Sequence, residues 1–347
     1  MAGSFEKHPR LTLTICTLVL LMLIAGMAEI ILRFTIPYDI GYYTAVKKPG
    51  EYDYPYGKIY MNQDGYPDEE FDRTSTKPRI GYFGDSVTFG VGAGAGYRFS
   101  DLLQEKFPAY EHWTFSMIAN GIEDDRVLKT AEEYNLNTVI YAFNLNDILP
   151  APEKTTDGTK KKIPPLVKLQ KTIWHTVDVL RGKSYLYTWL RTTVKNALTR
   201  AGYSHTGFKA AELYPDENRE LIREVAGRIR KMDESLKSHG IKFCVLILPY
   251  EMQISNDAAQ TYKSLGIHWE DGFEQGKTQQ YLLEDLKGVA VYNGLKAFSG
   301  LKDTARVGEY FVYNQGDKID FNHPGRAGHA LLAQGLWKSH ACHAFYN

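Results

Sequence analysis

Two short stretches carry side chains that could do chemistry together. The first, GYFGDSVTFGVG (Gly81 to Gly92), interrupts an apolar run with Gly84-Asp85-Ser86. A serine hydroxyl attacks a carbonyl only when a base takes its proton and an exposed turn brings it to the substrate. Gly84 permits a sharp turn, and a helix starting behind Ser86 would supply backbone N–H groups to a developing oxyanion. The competing use of the tripeptide is local, with Asp85 or Ser86 merely capping a helix. The second stretch, DFNHPGRAGH (Asp320 to His329), sets a carboxylate three residues before a histidine in a loop stiffened by Pro324. Asp320 could hold one ring nitrogen of His323 and turn the other toward a hydroxyl, as a general base requires. An isolated Asp-x-x-His reads as a surface loop or a metal ligand. His329, past the proline, reads as structural or supporting.

Two further segments offer donors for an oxyanion. Gly121 ends Ala119-Asn120-Gly121, where its N–H could approach bound negative charge or simply make a turn. Asn144-Leu145-Asn146-Asp147 follows an apolar run. An asparagine amide is a neutral donor that stabilises developing charge without deprotonation, although an Asx turn uses the same residues. Tyr250 and Glu251 also follow a strand and are candidate substrate contacts or members of a satisfied loop.

The elements that must position these residues alternate. Arg79–Gly84, Trp113–Ala119, Thr138–Phe143, Ile241–Leu248 and Val289–Tyr292 read as strands. Helices are expected over Ser100–Phe107, with Ser100 as cap, and over Asp124–Tyr134, Asp216–Ser238 and Gly325–Trp337. In the third of these, Ile222, Val225, Ile229, Met232 and Leu236 recur at threes and fours, and Gly240 supplies the left-handed stop. Strands alternating with helices imply a parallel sheet covered on both faces, with ligands beyond the carboxyl ends of the strands. Between 150 and 214 a helical insertion breaks the alternation. Within it Ser184 could cap SYLYTWLRTTVKNALTR, whose apolar stripe is Leu186, Leu190, Val194 and Leu198. That segment reads as a packed helix, a lid, a groove wall or a membrane-surface helix.

Composition bounds the class. The chain has 347 residues, 44% hydrophobic and 24% charged, with 41 basic and 41 acidic side chains. That balance gives no field for nucleic acid, and none is expected as a partner. Three cysteines show no metal spacing and no disulfide framework, so Cys244, inside IKFCVLIL, reads as a buried free thiol. The tail His340-Ala341-Cys342-His343 has ligand types but reads as a frayed terminus, and no metal is expected. No charge occurs from Leu11 to Ala28. A run of this length is expected to be a membrane-spanning signal anchor, the alternative being a signal peptide cleaved near Gly26-Met27-Ala28. The organisation expected is a head at 1–10, a span at 11–32, a Tyr/Pro/Gly-rich arm at 33–77 with one short hairpin, and a body at 78–347.

Taken together, Gly84-Asp85-Ser86, Gly121, Asn146-Asp147 and the Asp320-x-x-His323-Pro324 block with Gly328-His329 resemble the SGNH or GDSL hydrolase superfamily over about residues 78 to 338. The resemblance implies a flavodoxin-like three-layer α/β/α sandwich. It also implies Ser86 as nucleophile, His323 as base, Asp320 orienting it, and an oxyanion hole of the Ser86 and Gly121 N–H groups with the Asn146 amide. Asn144 stands where the family usually has glycine, so Asn144 is the alternative to Asn146 at the site. Glu123, Asp124 and Asp125 occupy the region of a second family glycine. The implied activity is ester hydrolysis through an acyl-enzyme, without a cofactor, on O-acyl groups of an extracytoplasmic glycan or lipid. Acyl transfer to a sugar by the same triad and a noncatalytic glycan-binding scaffold are the alternatives. The anchor, arm and insertion look like membrane-tethered bacterial members, which implies a body facing the periplasm.

Overall fold

The computed structural model describes residues 8–36, 48–117, 124–148, 180, 183–200, 211–264, 272, 274–301, 306, 308–312 and 322–343. Helix α1 (Pro9–Thr35) is followed by the antiparallel hairpin β1 (Gly50–Tyr54) and β2 (Gly57–Met61). Then come β3 (Arg79–Gly84), the single turn α2 (Ser86–Phe89), α3 (Phe99–Lys106), β4 (Glu111–Ser116), α4 (Asp124–Glu133) and β5 (Thr138–Asn144). The insertion contributes α5 (Tyr185–Arg200). The remainder is α6 (Arg219–Ser238), β6 (Lys242–Leu248), α7 (Asn256–Ser264), α8 (Lys277–Asp285), β7 (Val291–Asn293), α9 (Arg326–Lys338) and α10 (His340–His343).

The five sheet strands are parallel, in the order β4-β3-β5-β6-β7. Renumbered within the sheet this is 2-1-3-4-5, the flavodoxin-like order, whose direction of winding reverses between its first and third strands. Here that switch point lies between the carboxyl ends of β3 and β5.

Side-chain alternation divides the core into two layers. Val139, Tyr141 and Phe143 of β5 and Phe243, Val245 and Ile247 of β6 face α4, α6, α7 and α8 through Val127, Ile229, Tyr262 and Leu282. Ile140 and Ala142, with Cys244 and Leu246, face α3 and α9 through Phe99, Leu103, Leu332 and Leu336. Both faces of the sheet are therefore dry. This is why the central strands read as uninterrupted apolar runs.

Several expected boundaries move for identifiable reasons. Strand β4 pairs with β3 residue for residue, from Arg79 with Glu111 to Gly84 with Ser116, so its partner fixes both ends. Helix α3 begins at Phe99 rather than after Ser100, because Asp101 closes the first turn on the Arg98 N–H at 3.0 Å. Gly240 does adopt φ of 75° after α6, as a left-handed stop requires. Ser184 Oγ accepts the Tyr187 N–H at 3.1 Å at the start of α5. Among the described residues, α1 is the one helix long and apolar enough to cross a membrane.

The free-thiol reading of Cys244 is corrected. Cys244 is disulfide-bonded to Cys342 with Cα atoms 5.9 Å apart, and both are fully buried. The expected frayed tail is instead the helical turn α10, brought beside β6 by α9. Spacing gave no sign of the bridge, since the two cysteines lie 98 residues apart.

Candidate active site

The turn after β3 is built by three adjacent residues with separate tasks. A Cβ on Gly84 would lie 2.8 Å from the Ala142 carbonyl oxygen of β5 and would also strike Thr88, so only glycine lets the strands approach here. Asp85 is the cap of α2, its Oδ1 accepting the Val87 N–H at 3.1 Å. Ser86 is thereby released from capping and becomes the first residue of α2. Gly90, at φ of 103°, ends this turn.

His323 reaches Ser86 from the far end of the chain. Its Nε2 lies 2.7 Å from Ser86 Oγ, across 237 residues of sequence. The histidine is gripped on both sides by backbone pairing: Val312 N–H donates to the His323 carbonyl at 2.9 Å, and Gly325 N–H donates to the Tyr310 carbonyl at 2.8 Å. Behind this loop stands Gly92, with φ of 99° and no room for a side chain against Val312 and Pro324. The hairpin covers the same region, since Tyr54, Tyr56, Ile59 and Met61 pack with Phe89, Val91 and Val312. Arg326 fastens it by donating to the Tyr56 and Ala93 carbonyls. The lead-in arm is thus a packing support for both Ser86 and His323, a task that its turn-rich sequence does not advertise. Asp320 and Gly121 lie outside the described residues.

The two asparagines after β5 differ in what they already bind. Asn144 is fully buried; its Nδ2 donates to Asp85 Oδ2 at 3.1 Å and its Oδ1 accepts the Asn146 N–H at 3.4 Å. Asn146 is only partly buried and carries an Oδ1 with no partner among the described residues. Asn144 therefore ties β5 to the Asp85 turn, and Asn146 is the amide left uncommitted among the described residues.

Beneath the turn, burial raises the pKa of Asp85, while His323 and hydrogen bonds from Val87, Asn144 and Ser86 oppose the shift. Asp147 is raised chiefly by burial and next by the charge of Asp85, with Arg228 opposing. Two buried carboxyl groups that repel each other retain a proton where an isolated one would have lost it.

Tyr250 and Glu251 are internal, which corrects their reading as substrate contacts. The Tyr250 hydroxyl donates to Glu212 at 2.9 Å, and Glu251 accepts from the Tyr262 hydroxyl and, at 2.9 Å, from the Gly308 N–H. Both residues are 2% exposed, so they serve the satisfied loop. Burial also lifts Glu212 to about 7. His329 is a core histidine: its Nδ1 accepts the Phe99 N–H at 3.1 Å, its ring stacks on Phe99, and burial lowers its pKa to about 3.

Among the described residues no group of three or more His, Cys, Asp or Glu could hold a metal ion. A cavity of about 740 Å³ lies along the β4 edge of the sheet, lined by Asp68, Arg98, Glu111 and Trp113 among others, and does not include Ser86.

No family model and no curated protein matches this chain. Solved structures similar to it include TesA, with 14% identity over 75% of this chain and 96% of that one at a TM-score of 0.34. An acetylxylan esterase from Geobacillus stearothermophilus, in a catalytic mutant form, matches with 14% identity over 75% and 93% at 0.35. A structure ascribed to the lipolytic G-D-S-L family, from Desulfitobacterium hafniense, matches with 12% identity over 76% and 99% at 0.35.

Proposed function

We propose that this chain is a serine ester hydrolase of the SGNH/GDSL kind that works through an acyl-enzyme on Ser86. The observation that carries the reading is the 2.7 Å contact between His323 Nε2 and Ser86 Oγ. It lies beyond the carboxyl end of β3, at the switch point where a sheet of this order leaves a crevice.

The chemistry follows from that contact. His323 takes the Ser86 proton as Oγ attacks the ester carbonyl, and the imidazolium then gives the proton to the departing alkoxide. The Ser86 N–H, the Gly121 N–H and the Asn146 amide stabilise the tetrahedral oxyanion. Asp320 is assigned to the second ring nitrogen. Water, deprotonated by the same histidine, releases the acid and restores Ser86. Because both catalytic side chains are nearly buried, their charges form in a setting where preorganised dipoles count for more than in water.

In this reading the body lies outside the cytoplasm, held by α1 as an anchor. The Cys244–Cys342 disulfide supports this side, because such bridges persist in oxidising compartments. The substrate class is an O-acylated glycan or lipid of the cell envelope.

The test is labelling of the detergent-solubilised full chain with a fluorophosphonate, followed by peptide mapping. Labelling at Ser86 that disappears in His323→Ala is expected. No labelling, together with no turnover of short-chain esters by the wild type, would overturn the reading and favour a glycan-binding scaffold.

A further inference from the structure

The single acidic residue in α1 is not left to the membrane. Glu29 Oε2 accepts from Ser184 Oγ at 2.8 Å and from the Leu186 N–H at 2.9 Å, and its Oε1 accepts from the Tyr185 N–H at 3.1 Å and from Arg33 at 2.9 Å. Arg33 in turn donates to the Lys183 carbonyl at 3.3 Å and lies over the Tyr185 ring. The first turn of α5 is thus fastened to α1 immediately after its uncharged run. That run, Leu11 to Ala28, is 18 residues. At a rise of about 1.5 Å per residue it spans roughly 27 Å, close to the ~30 Å of a hydrocarbon core. Glu29 therefore lies within one helical turn of the end of the span at Leu32, and α5 starts near the level where the span leaves the lipid.

The exposed face of α5 has the wrong polarity for water. Trp189, Leu190 and Val194 are 42%, 51% and 49% exposed, whereas Thr188 and Thr192 are buried. A helix bounded by water shows the reverse pattern. The segment Tyr185–Arg200 contains Arg191, Lys195 and Arg200 and no acidic residue. An apolar face with tryptophan and a purely basic complement is the composition of a helix lying in an anionic membrane interface.

We infer that α5 is an interfacial helix that inserts Trp189, Leu190 and Val194 into the bilayer leaflet on the catalytic side, with Glu29 as the clamp that joins it to the anchor. The inference rests on the reading of α1 as an uncleaved anchor. Its consequence is that the chain meets the membrane surface through both α1 and α5.

The test uses the full chain with Cys16→Ser, reconstituted in phosphatidylcholine–phosphatidylglycerol vesicles. Nitroxides are placed one at a time at Leu190→Cys and Val194→Cys, at Leu20→Cys in the span, and at Lys231→Cys on the exposed face of α6. Collision with oxygen and with a water-soluble nickel chelate is then compared by electron paramagnetic resonance. Positions 190 and 194 are expected to favour oxygen at least several-fold more than position 231, approaching position 20, and Glu29→Ala is expected to reduce that preference. If position 20 reads as lipid but 190 and 194 read as water, α5 is not interfacial and the inference fails alone. Shielding of 190 and 194 from both reagents would show a protein contact, either a second copy or a lid, and would equally overturn it. An aqueous reading at position 20, or its loss by cleavage, would remove both the anchor and the inference. Hydrolysis of a soluble short-chain ester, unchanged in the 190 and 194 variants, verifies that each is folded.

Discussion

Replacing Asn146 and Asn144 separately by alanine tests which amide serves the oxyanion, and the structure gives the two changes opposite signatures. Among the described residues Asn146 donates no side-chain hydrogen bond and its buried Oδ1 has no partner, so its removal should cost little stability. Loss of one oxyanion donor is worth about 10²–10³ in kcat, or about 3–4 kcal/mol of transition-state stabilisation. Asn144 is different, because its Nδ2 donates to the buried Asp85 carboxyl at 3.1 Å and its Oδ1 receives the Asn146 N–H. Alanine there leaves Asp85 Oδ2 without that donor, a cost of about 1–3 kcal/mol in folding. At about 2–4 °C per kcal/mol for a domain of 150–250 residues, the melting temperature should drop by roughly 2–12 °C. The assay pairs kcat on a short-chain ester with thermal unfolding of the same preparations. Asn146→Ala should lose rate and keep its melting temperature, whereas Asn144→Ala should lose stability first. A large rate loss in Asn144→Ala at unchanged stability, with Asn146→Ala near the wild type, would refute the assignment and exchange their roles.

Other expectations are independent of that pair. Gly92→Ala, at φ of 99° and against the Val312 methyl and the Pro324 backbone, should push the His323 loop off Ser86 and lower kcat at least tenfold, with about 1–3 kcal/mol lost in stability; wild-type kinetics would show that the loop is not held from behind. Reaction of the native chain with a thiol reagent in denaturant should modify Cys16 alone, and Cys342→Ser should cost about 2–5 kcal/mol, since the bridge closes a 98-residue loop; three reactive thiols would disprove the disulfide. Burial lowers His112 to about 4 and His329 to about 3, so the folded chain keeps both neutral while the unfolded chain protonates them below about 6.5. Stability should accordingly fall as pH drops from 6.5, by about 2 kcal/mol per histidine at pH 5, and imidazole NMR signals at pH 5 should show both rings neutral. Glu212 acts in the other direction: raised from 4.5 to about 7, it stays protonated in the fold after the unfolded chain has ionised, and stability falls as pH rises through that window. Glu212→Gln should remove about 3 kcal/mol of that loss, read as a raised melting temperature at pH 8 relative to pH 4.5.

Much of the architecture is legible in the chain because the sheet is covered on both faces. The interiors of strands β5 and β6 must then be apolar on both faces, and Val139–Phe143 and Phe243–Leu248 show it without any knowledge of partners. Helix α6 is legible for a related reason, its buried stripe recurring at helical spacing and ending at Gly240. The candidate site residues Ser86, Asn146 and His323 are picked out by type and local context, since a serine after a strand and a histidine beside a proline are local patterns.

What the chain does not display is long-range. The sequence by itself determines the strands, the apolar span and the chemistry that each candidate side chain could perform. Only the tertiary structure decides which of them meet. It brings His323 to Ser86 across 237 residues, commits Asn144 to Asp85, turns Tyr250 and Glu251 inward, and joins Cys244 to Cys342. Each outcome depends on how layers stack on the sheet, and no local spacing encodes that stacking. The arm and α5 show the same limit: their composition marks them as irregular or amphipathic, but the surfaces they cover are set by elements folded far away in the chain.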